Sequence, residues 1–448
     1  MGCPQFDAAF ATATKGAVYD CGVPTFYKET ADPTLRFNAA VTRSSADVVI
    51  VGGGFAGLAT ALSLLEQGHH DCVLLEAERI GFGASGRNGG FVSAGFSLDV
   101  AALVAELGVD DARRLYRMTE DAVRSIRERI ERYRIDCDAV FDGILVANWF
   151  DDDQILRDLQ HRMRSVFGLD WQWLSRDEVR SQLVTERYHS ALLEADGFHF
   201  NPLLYALGEA RVLAAGGVAV HEGVRVTRVT RDGAGWRIDA GAVSIRCRHV
   251  VMACGGYIGS FYPRLARAVL PVATYVMTTE PLGDRLACAL RTRAAVFDTR
   301  FAFDYYRPLR DTRIVWGGRM SISEPSPRKL ERLLLQDMLR VYPQLQGVRV
   351  SHAWSGLMGY SRHEMPQIGR LPNGVWYLMG FGGHGVAATT FGGEVMARAL
   401  RGEAPIPSSL QRYGLAPTFG TLGRLAAQAT YWWMQGRDLV RKWPLRRG

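Results

Sequence analysis

The chain has 448 residues, 48% of them hydrophobic and 22% charged, a balance that excludes a disordered or fibrous protein and is long enough for more than one core. The net charge of +7 comes from 53 Lys and Arg dispersed along the sequence. No nucleic-acid-binding module gathers them, so they read as a solvated basic surface, with no nucleic-acid partner expected. Seven scattered cysteines without a C-x-x-C pair argue against a disulfide framework and a zinc site, and no metal is expected.

The opening residues, Met1 to Phe6, lack the basic and apolar regions of a signal peptide. No stretch has the uncharged apolar length of a membrane span, so a cytoplasmic protein is expected. Residues 1–45 read as an irregular leader. Order begins at Val48–Val51, a short apolar run suited to a buried parallel strand. A helical pattern from Ala56 to Glu66 and a second buried strand, Cys72–Leu75, complete a βαβ unit.

Asp99 to Tyr133 reads as helix, with Leu115, Met118, Ile126 and Ile130 on one face. Strands at Ile144–Asn148 and Ala191–Glu194 flank helical segments around 151–167 and 175–183. Asn201-Pro202 opens a helix to Ala215, with proline at its tolerated first position. Val218–Val229, Trp236–Ala240 and Val243–Cys247 read as a small antiparallel addition, and His249–Ala253 returns to the buried-strand style. An insertion from Pro271 to Leu345 contains an amphipathic helix, Pro327–Val341. Val375–Met379 is the last buried strand, and Gly385–Leu400 the last long helix before the tail.

The leading chemical signal is Gly52-Gly53-Gly54-Phe55-Ala56-Gly57, a G-x-G-x-x-G between strand and helix. Gly52 permits the turn, Gly54 lets backbone approach a pyrophosphate, and Gly57 lets helix and strand pack closely. The helix N-terminus supplies N–H donors and positive dipole. Glu76 follows 24 positions after Gly52, at the end of the second strand, where a carboxylate binds ribose and repels the 2′-phosphate of NADP. The loop Arg79–Gly90 adds Ser85, Arg87 and Asn88 among glycines 86, 89 and 90, donors for a second phosphate and a flavin. Gly380-Phe381-Gly382-Gly383-His384-Gly385-Val386 is a second strand-to-helix glycine turn, able to face the negative edge of a reduced flavin. His384 is read as orienting that turn rather than as a base.

These three blocks resemble those of the D-amino-acid-oxidase-like superfamily of FAD-dependent oxidoreductases. From about residue 20 to 443 the chain is similar to its γ-glutamylputrescine oxidoreductase branch. Arg79–Gly90, Tyr133–Asp138, Asp304–Arg307, Met365–Arg370 and Gly383–Val386 carry the likeness. The resemblance implies FAD as cofactor, with Ala77, Val226 and Gly255 added to the candidate contacts. Met358-Gly359-Tyr360 offers no thiol where sarcosine-oxidase-like relatives attach flavin, so the FAD is expected to be non-covalent. His363-Glu364 departs from the Ser-Arg expected in that branch and puts the substrate in doubt.

In such proteins substrate lies on a sheet over the flavin, which makes Phe303–Arg307 the expected substrate strand. Alternation sets Tyr305 and Arg307 on one face, where Arg307 would clamp a carboxylate and Tyr305 wall an amine. A domain interface filled by the same residues is the alternative. His363, Trp354, His352 and Arg319 are further candidates. The tail from Leu422 to Trp443 reads as a helix docked on the protein's own surface, with an interfacial helix on an anionic membrane as the alternative.

The expected fold is α/β (α+β): an FAD-binding Rossmann-like domain, residues 46–105, 195–270 and 350–448, with a discontinuous second domain, 106–194 and 271–349, on a mixed or antiparallel sheet. The expected activity is oxidation of a small-molecule primary amine that bears a carboxylate, with oxygen as acceptor, as in polyamine catabolism. A small amino-acid oxidase, a dehydrogenase feeding a membrane quinone and a non-catalytic FAD-binding partner stay open beside it.

Overall fold

The computed structural model describes residues 25–37, 40–322 and 326–441. Most of the leader expected at 1–45 lies outside them; the described part includes the helix Phe26–Thr30, whose Tyr27 is buried.

A mixed sheet forms the first body. Its central order is Gln367–Arg370, Trp376–Met379, Val243–Met252, Ser45–Val51, Cys72–Leu75 and Ala219–His221, all parallel except the antiparallel edge strand Gln367–Arg370. Both faces are buried, as the continuous apolar runs require. Val48, Ile50 and Leu74 pack under the helices Phe55–Glu66, Pro202–Ala215 and Val386–Leu400, whereas Val49, Val51 and Val73 join Trp236 and Ile238 on the other side. Val243–Cys247 and His249–Ala253, expected as separate strands, form one strand ending at Met252. Its start pairs antiparallel with Gly235–Ala240, and it runs parallel to Ser45–Val51. The single strand expected at Val218–Val229 is instead Ala219–His221 in the central sheet and Arg228–Asp232 in the addition.

A second eight-stranded sheet runs in the order Val350–Tyr360, Leu270–Thr279, Ile314–Ser321, Tyr305–Pro308, Ala295–Asp298, Ile144–Ala147, Ala191–Glu194 and Gln172–Leu174. One face packs on the helix Pro327–Val341 through Tyr275, Trp316 and Met277; the other turns Val276, Val315 and Trp354 towards the first body. Val350–Tyr360 thus belongs to the second sheet, paired along its length with Leu270–Thr279. The domain boundary expected at 349/350 moves beyond Tyr360. The long helix expected at 99–133 is broken at Gly108 (φ 77°) into Val100–Leu107 and Val109–Arg132. The second of these packs into the core of the first body, so residues 106–132 are not part of the second domain. Cys72, Cys137, Cys247, Cys254 and Cys288 are free thiols.

The tail is the helix Gly420–Arg441, laid beside the end of Ile314–Ser321: Tyr431 OH accepts from Met320 N (3.2 Å), and Gln428 Oε1 from Ile322 N (3.1 Å). Among the described residues no helix is long and apolar enough to cross a membrane.

Candidate active site

A cavity of about 350 Å³ runs between the two sheets. It is lined by Gly52, Gly54, Phe55, Ala56, Glu76 and Gly255, by Ser85, Arg87, Asn88 and Gly89, and by Gly380, Gly382, Gly383, His384, Gly385 and Val386. Thr274, Tyr305, Arg319, Met320 and Tyr360 of the second body and Tyr431 of the tail helix also line it. The three glycine-bearing blocks, dispersed over more than three hundred positions, thus meet on one space.

The first turn is built for close backbone approach. Gly52 has φ 119°, and a Cβ there would stand 2.6 Å from the carbonyl oxygen of Ala253. A Cβ at Gly57 would meet Gly52 O at 2.0 Å, so Gly57 supports the turn from behind and does not line the cavity. Both helices that open on the cavity, Phe55–Glu66 and Val386–Leu400, have glycine N-caps with no side-chain cap of their own, so apart from Phe55 N, which is bonded to Ser85 Oγ, their leading N–H groups are open to a ligand. Glu76 accepts from Gly53 N (2.7 Å) and Glu78 N (2.9 Å). Burial raises its pKa, and the two N–H donors offset part of that. A glycine cradle, two open helix N-termini and a buried carboxylate form the donor set a dinucleotide requires, and FAD fits it.

The Arg79–Gly90 loop is fastened on every side, which revises the roles expected for its polar residues. Arg87 donates through Nε to Phe82 O (2.9 Å) and through Nη1 to Ser355 O (3.2 Å). Asn88 spends its amide on Ala84 O and Ser85 O, both at 3.0 Å. These donors set the loop's shape rather than reaching for phosphate. Ser85 Oγ accepts from Phe55 N (2.9 Å), which leaves its O–H available to the cavity. Gly86 and Gly90 pack against Gly81 O and Phe200 O instead of lining the cavity, and neither Ala77 nor Val226 reaches it.

His384 is half-buried, and desolvation lowers its pKa; Nε2 faces the carbonyls of Ser93 (3.1 Å) and Ala94 (3.0 Å). Those bonds aim the ring and pin the Gly382–Gly385 turn.

Of the six residues expected to act on substrate, the structure brings Tyr305 and Arg319 to the cavity and leaves Arg307, His363, Trp354 and His352 outside its lining. The Tyr305 ring lies over Gly317, where a Cβ would stand 2.1 Å away, and against Gly89, where the distance would be 2.6 Å. Arg307 shares its face, as alternation requires, but is wholly buried below the cavity. It donates to Gly89 O (2.6 Å) and to Tyr27 OH (3.3 Å) and lies against His199, so it is not a substrate clamp. Trp354 is equally buried and donates to Arg87 O (2.9 Å). His363 is tied to Gly414 O (3.0 Å) and Ser361 Oγ (3.2 Å) and packs on Tyr413, outside the lining. Arg319, in left-handed backbone at φ 54°, is the guanidinium of the second body that lines the cavity. Asp337 receives its Nε and its Nη2, the latter at 2.9 Å.

The sequence reading did not single out Ser93, Thr274, Met320, Tyr360 or Tyr431. Ser93 Oγ donates to both carboxylate oxygens of Glu194 (2.8 and 3.0 Å), a fully buried acid whose pKa is raised to about 7 by desolvation. The serine follows the glycine loop closely enough to have been suspected. Nothing local marks Tyr431, which arrives from the tail by tertiary packing.

Residues 47–399 match the model of the FAD dependent oxidoreductase family. The chain belongs to that family. It is 36% identical over 384 residues to the gamma-glutamylputrescine oxidoreductase of Escherichia coli, covering 85% of this chain and 89% of that one. To the probable oxidoreductase OrdL of Haemophilus influenzae it is 29% identical, over 86% and 90% of the two chains. Glycine oxidase from Geobacillus kaustophilus superposes with a TM-score of 0.69 over 83% of this chain and 99% of its own, at 20% identity. L-proline dehydrogenase from P. horikoshii gives 0.68 at 17% identity, over 83% and 97%. Those two establish the family's fold here. FAD is the cofactor, and the protein is an FAD-dependent oxidoreductase.

Proposed function

We propose that the protein oxidises a primary amine that carries a carboxylate at its far end, of the γ-glutamyl-amine type, with oxygen as acceptor. One observation carries the reading: the aromatic chamber bounded by Tyr305, Tyr360 and Tyr431 contains a guanidinium, Arg319, already oriented by Asp337. The relation to gamma-glutamylputrescine oxidoreductase supports the same substrate class.

The chemistry FAD supplies when bound is two-electron acceptance from the carbon bearing a neutral amine, leaving an imine that hydrolyses to aldehyde and ammonia. The chain's own work is orientation. Arg319 offers its remaining N–H donors to the distal carboxylate, a charge-assisted contact of fixed direction. Tyr305, Tyr360 and Tyr431 wall the chain between carboxylate and amine, excluding water from the reacting carbon. Remote binding at Arg319 then sets the position of the amine. The N-terminus of the helix Val386–Leu400, set by the glycine turn before it, offers its leading N–H groups where negative charge develops.

Anaerobic bleaching of the flavin tests this, with γ-glutamylputrescine, free putrescine, sarcosine and D-alanine compared in parallel. The γ-glutamyl amine is expected to bleach fastest. Faster bleaching by sarcosine or D-alanine would replace the proposal with a small amino-acid oxidase. Peroxide formed on aeration in proportion to flavin reduced tests oxygen as acceptor.

A further inference from the structure

The helix Gly420–Arg441 is amphipathic in the inverted sense. Three of its polar side chains turn inward. Arg424 donates to Ile322 O, Gln428 accepts from Ser321 Oγ (3.2 Å) and Ile322 N (3.1 Å), and Asp438 accepts from Phe301 N (2.8 Å). Its apolar side chains turn out. Leu422, Leu425, Trp432, Trp433 and Val440 are 74, 55, 64, 66 and 73% exposed. At about 100° per residue these positions fall in one stripe, and Ala426 and Ala429 fill its gaps. Phe301 and Phe303, 36 and 42% exposed, extend the surface to the edge of the cavity they help line.

A helix lying on its own protein in water ordinarily buries its apolar face and solvates its polar one. Here the polar face is spent on the body, and two adjacent indoles are left outside. A continuous apolar surface of this kind marks an interaction site.

Charge decides the occupant. Besides the inward-turned Arg424, the sequence from Leu422 onward carries Arg437, Arg441, Lys442, Arg446 and Arg447 against Asp438 alone, and the carboxylate of Asp438 is engaged by Phe301 N. An apolar stripe with paired tryptophans and an unbalanced run of cations is complementary to a negatively charged lipid surface, where indoles settle at the headgroup level and Lys and Arg meet anionic lipid. We propose that this helix docks the enzyme flat on anionic membrane. Tyr431 lines the cavity from the same helix, so the docked enzyme keeps its substrate chamber beside the headgroup layer.

The test is co-sedimentation of the full-length, FAD-loaded protein with vesicles. Phosphatidylcholine containing roughly 30% phosphatidylglycerol is compared with phosphatidylcholine alone, since each basic residue near such a surface contributes to binding. Binding to the anionic vesicles is expected to be at least about tenfold tighter and to weaken as salt screens the charges. The double variant Trp432→Ser/Trp433→Ser should lose about tenfold or more of that binding while keeping its flavin spectrum. Leu422→Glu/Val440→Glu, placed at the two ends of the stripe, should do the same. Binding that ignores phosphatidylglycerol overturns the proposal, as does binding retained by both double variants. So does absence of binding together with self-association, in sedimentation velocity, that the Trp variants abolish; a second copy is then the occupant.

Discussion

Arg307 Nε donates to the carbonyl oxygen of Gly89 at 2.6 Å, fastening the second sheet to the glycine loop of the first. The guanidinium also donates to Tyr27 OH, and Tyr27 OH donates to Asn88 O (3.0 Å). Trp354 adds a third tie, to Arg87 O. Residues that looked like substrate contacts therefore hold the cofactor loop against the sheet from which Tyr305 projects. Neighbouring His199 is held neutral, its pKa lowered to about 3 by burial and by Arg307.

Arg307→Lys should consequently act on cofactor rather than on substrate. A lysine ammonium cannot reproduce the directions of the planar fork, and lost buried bonds to a charged donor cost about 1.5–3 kcal/mol each. The expected outcome is FAD affinity lowered by about tenfold or more, with the amine KM little changed once FAD saturates. Titration of apoprotein with FAD, followed by steady-state kinetics, separates the two. A raised KM at unchanged FAD affinity would restore Arg307 to the substrate site.

How much of this was legible in the sequence follows from what each residue depends on. Gly52, Gly54, Gly57 and Glu76 depend on a strand, a turn and a helix contiguous in the chain, so spacing alone singled them out, and all but Gly57 line the cavity. Alternation correctly set Tyr305 and Arg307 on one face. It could not tell that the glycines at 89 and 317 make room for the tyrosine ring while the arginine is buried beneath. The boundary near residue 350 failed for a related reason. Val350–Tyr360 reads like any buried strand, and its pairing with Leu270–Thr279 is a long-range choice that periodicity does not encode. Tyr431 belongs to the same class, whereas Arg319 was already a candidate by residue type and its place in the lining came only with the fold.

Glu76→Ala should weaken FAD binding. The carboxylate holds Gly53 N and Glu78 N, so its loss loosens the turn and removes the acceptor expected for ribose. Each charge-assisted bond lost costs about 1.5–3 kcal/mol, so FAD affinity should fall at least tenfold. Isothermal titration of apoprotein checks this, and unchanged affinity would remove Glu76 from the site. The wild-type protein should release its FAD into the supernatant on acid precipitation, since Met358-Gly359-Tyr360 offers no thiol; flavin retained in the pellet would show a covalent link.

Gly317→Ala isolates Tyr305. The new methyl would stand 2.1 Å from the phenol ring, so the ring must move, and Gly89 already packs on the same Cε2 edge. Overpacking of this kind costs about 1–3 kcal/mol. With Tyr305 displaced from the chamber wall, kcat/KM should fall about tenfold or more while FAD content stays normal. Adding Tyr305→Ala should relieve the stability loss without restoring activity. Thermal denaturation and turnover of the single and double variants give both readings.

Glu194 predicts a pH dependence of stability. Burial raises its pKa to about 7, from an unfolded value near the ordinary glutamate range. Between those values the folded state binds more protons than the unfolded one, so this residue's contribution falls as pH rises through about 4 to 7 and is lost above it. Glu194→Gln keeps the partner for Ser93 without the titration. Relative to wild type, the variant should gain on the order of 3 kcal/mol on passing from pH 4 to pH 8. Urea unfolding at both pH values measures it; parallel curves would mean that Glu194 titrates normally.

Arg319 bears the weight of the substrate assignment, and its variants divide clamp from scaffold. Nε and Nη2 are committed to Asp337, which also receives Arg340 Nη1 at 3.1 Å, so the guanidinium is fixed before any substrate arrives. A preordered donor loses little entropy on binding, and a charged hydrogen bond to carboxylate contributes about 1.5–3 kcal/mol. Arg319→Lys should therefore raise KM for a carboxylate-bearing amine by about tenfold or more. It should leave the poor turnover of free putrescine nearly unchanged, because putrescine has no group for Arg319 to hold. Asp337→Asn, which frees the fork without removing it, should give an intermediate rise in KM for the carboxylate-bearing amine alone. The comparison is made with FAD saturating and its content measured, so that a cofactor defect is seen separately. Equal losses on both amines in Arg319→Lys would mean that Arg319 shapes the chamber and that the carboxylate is recognised elsewhere.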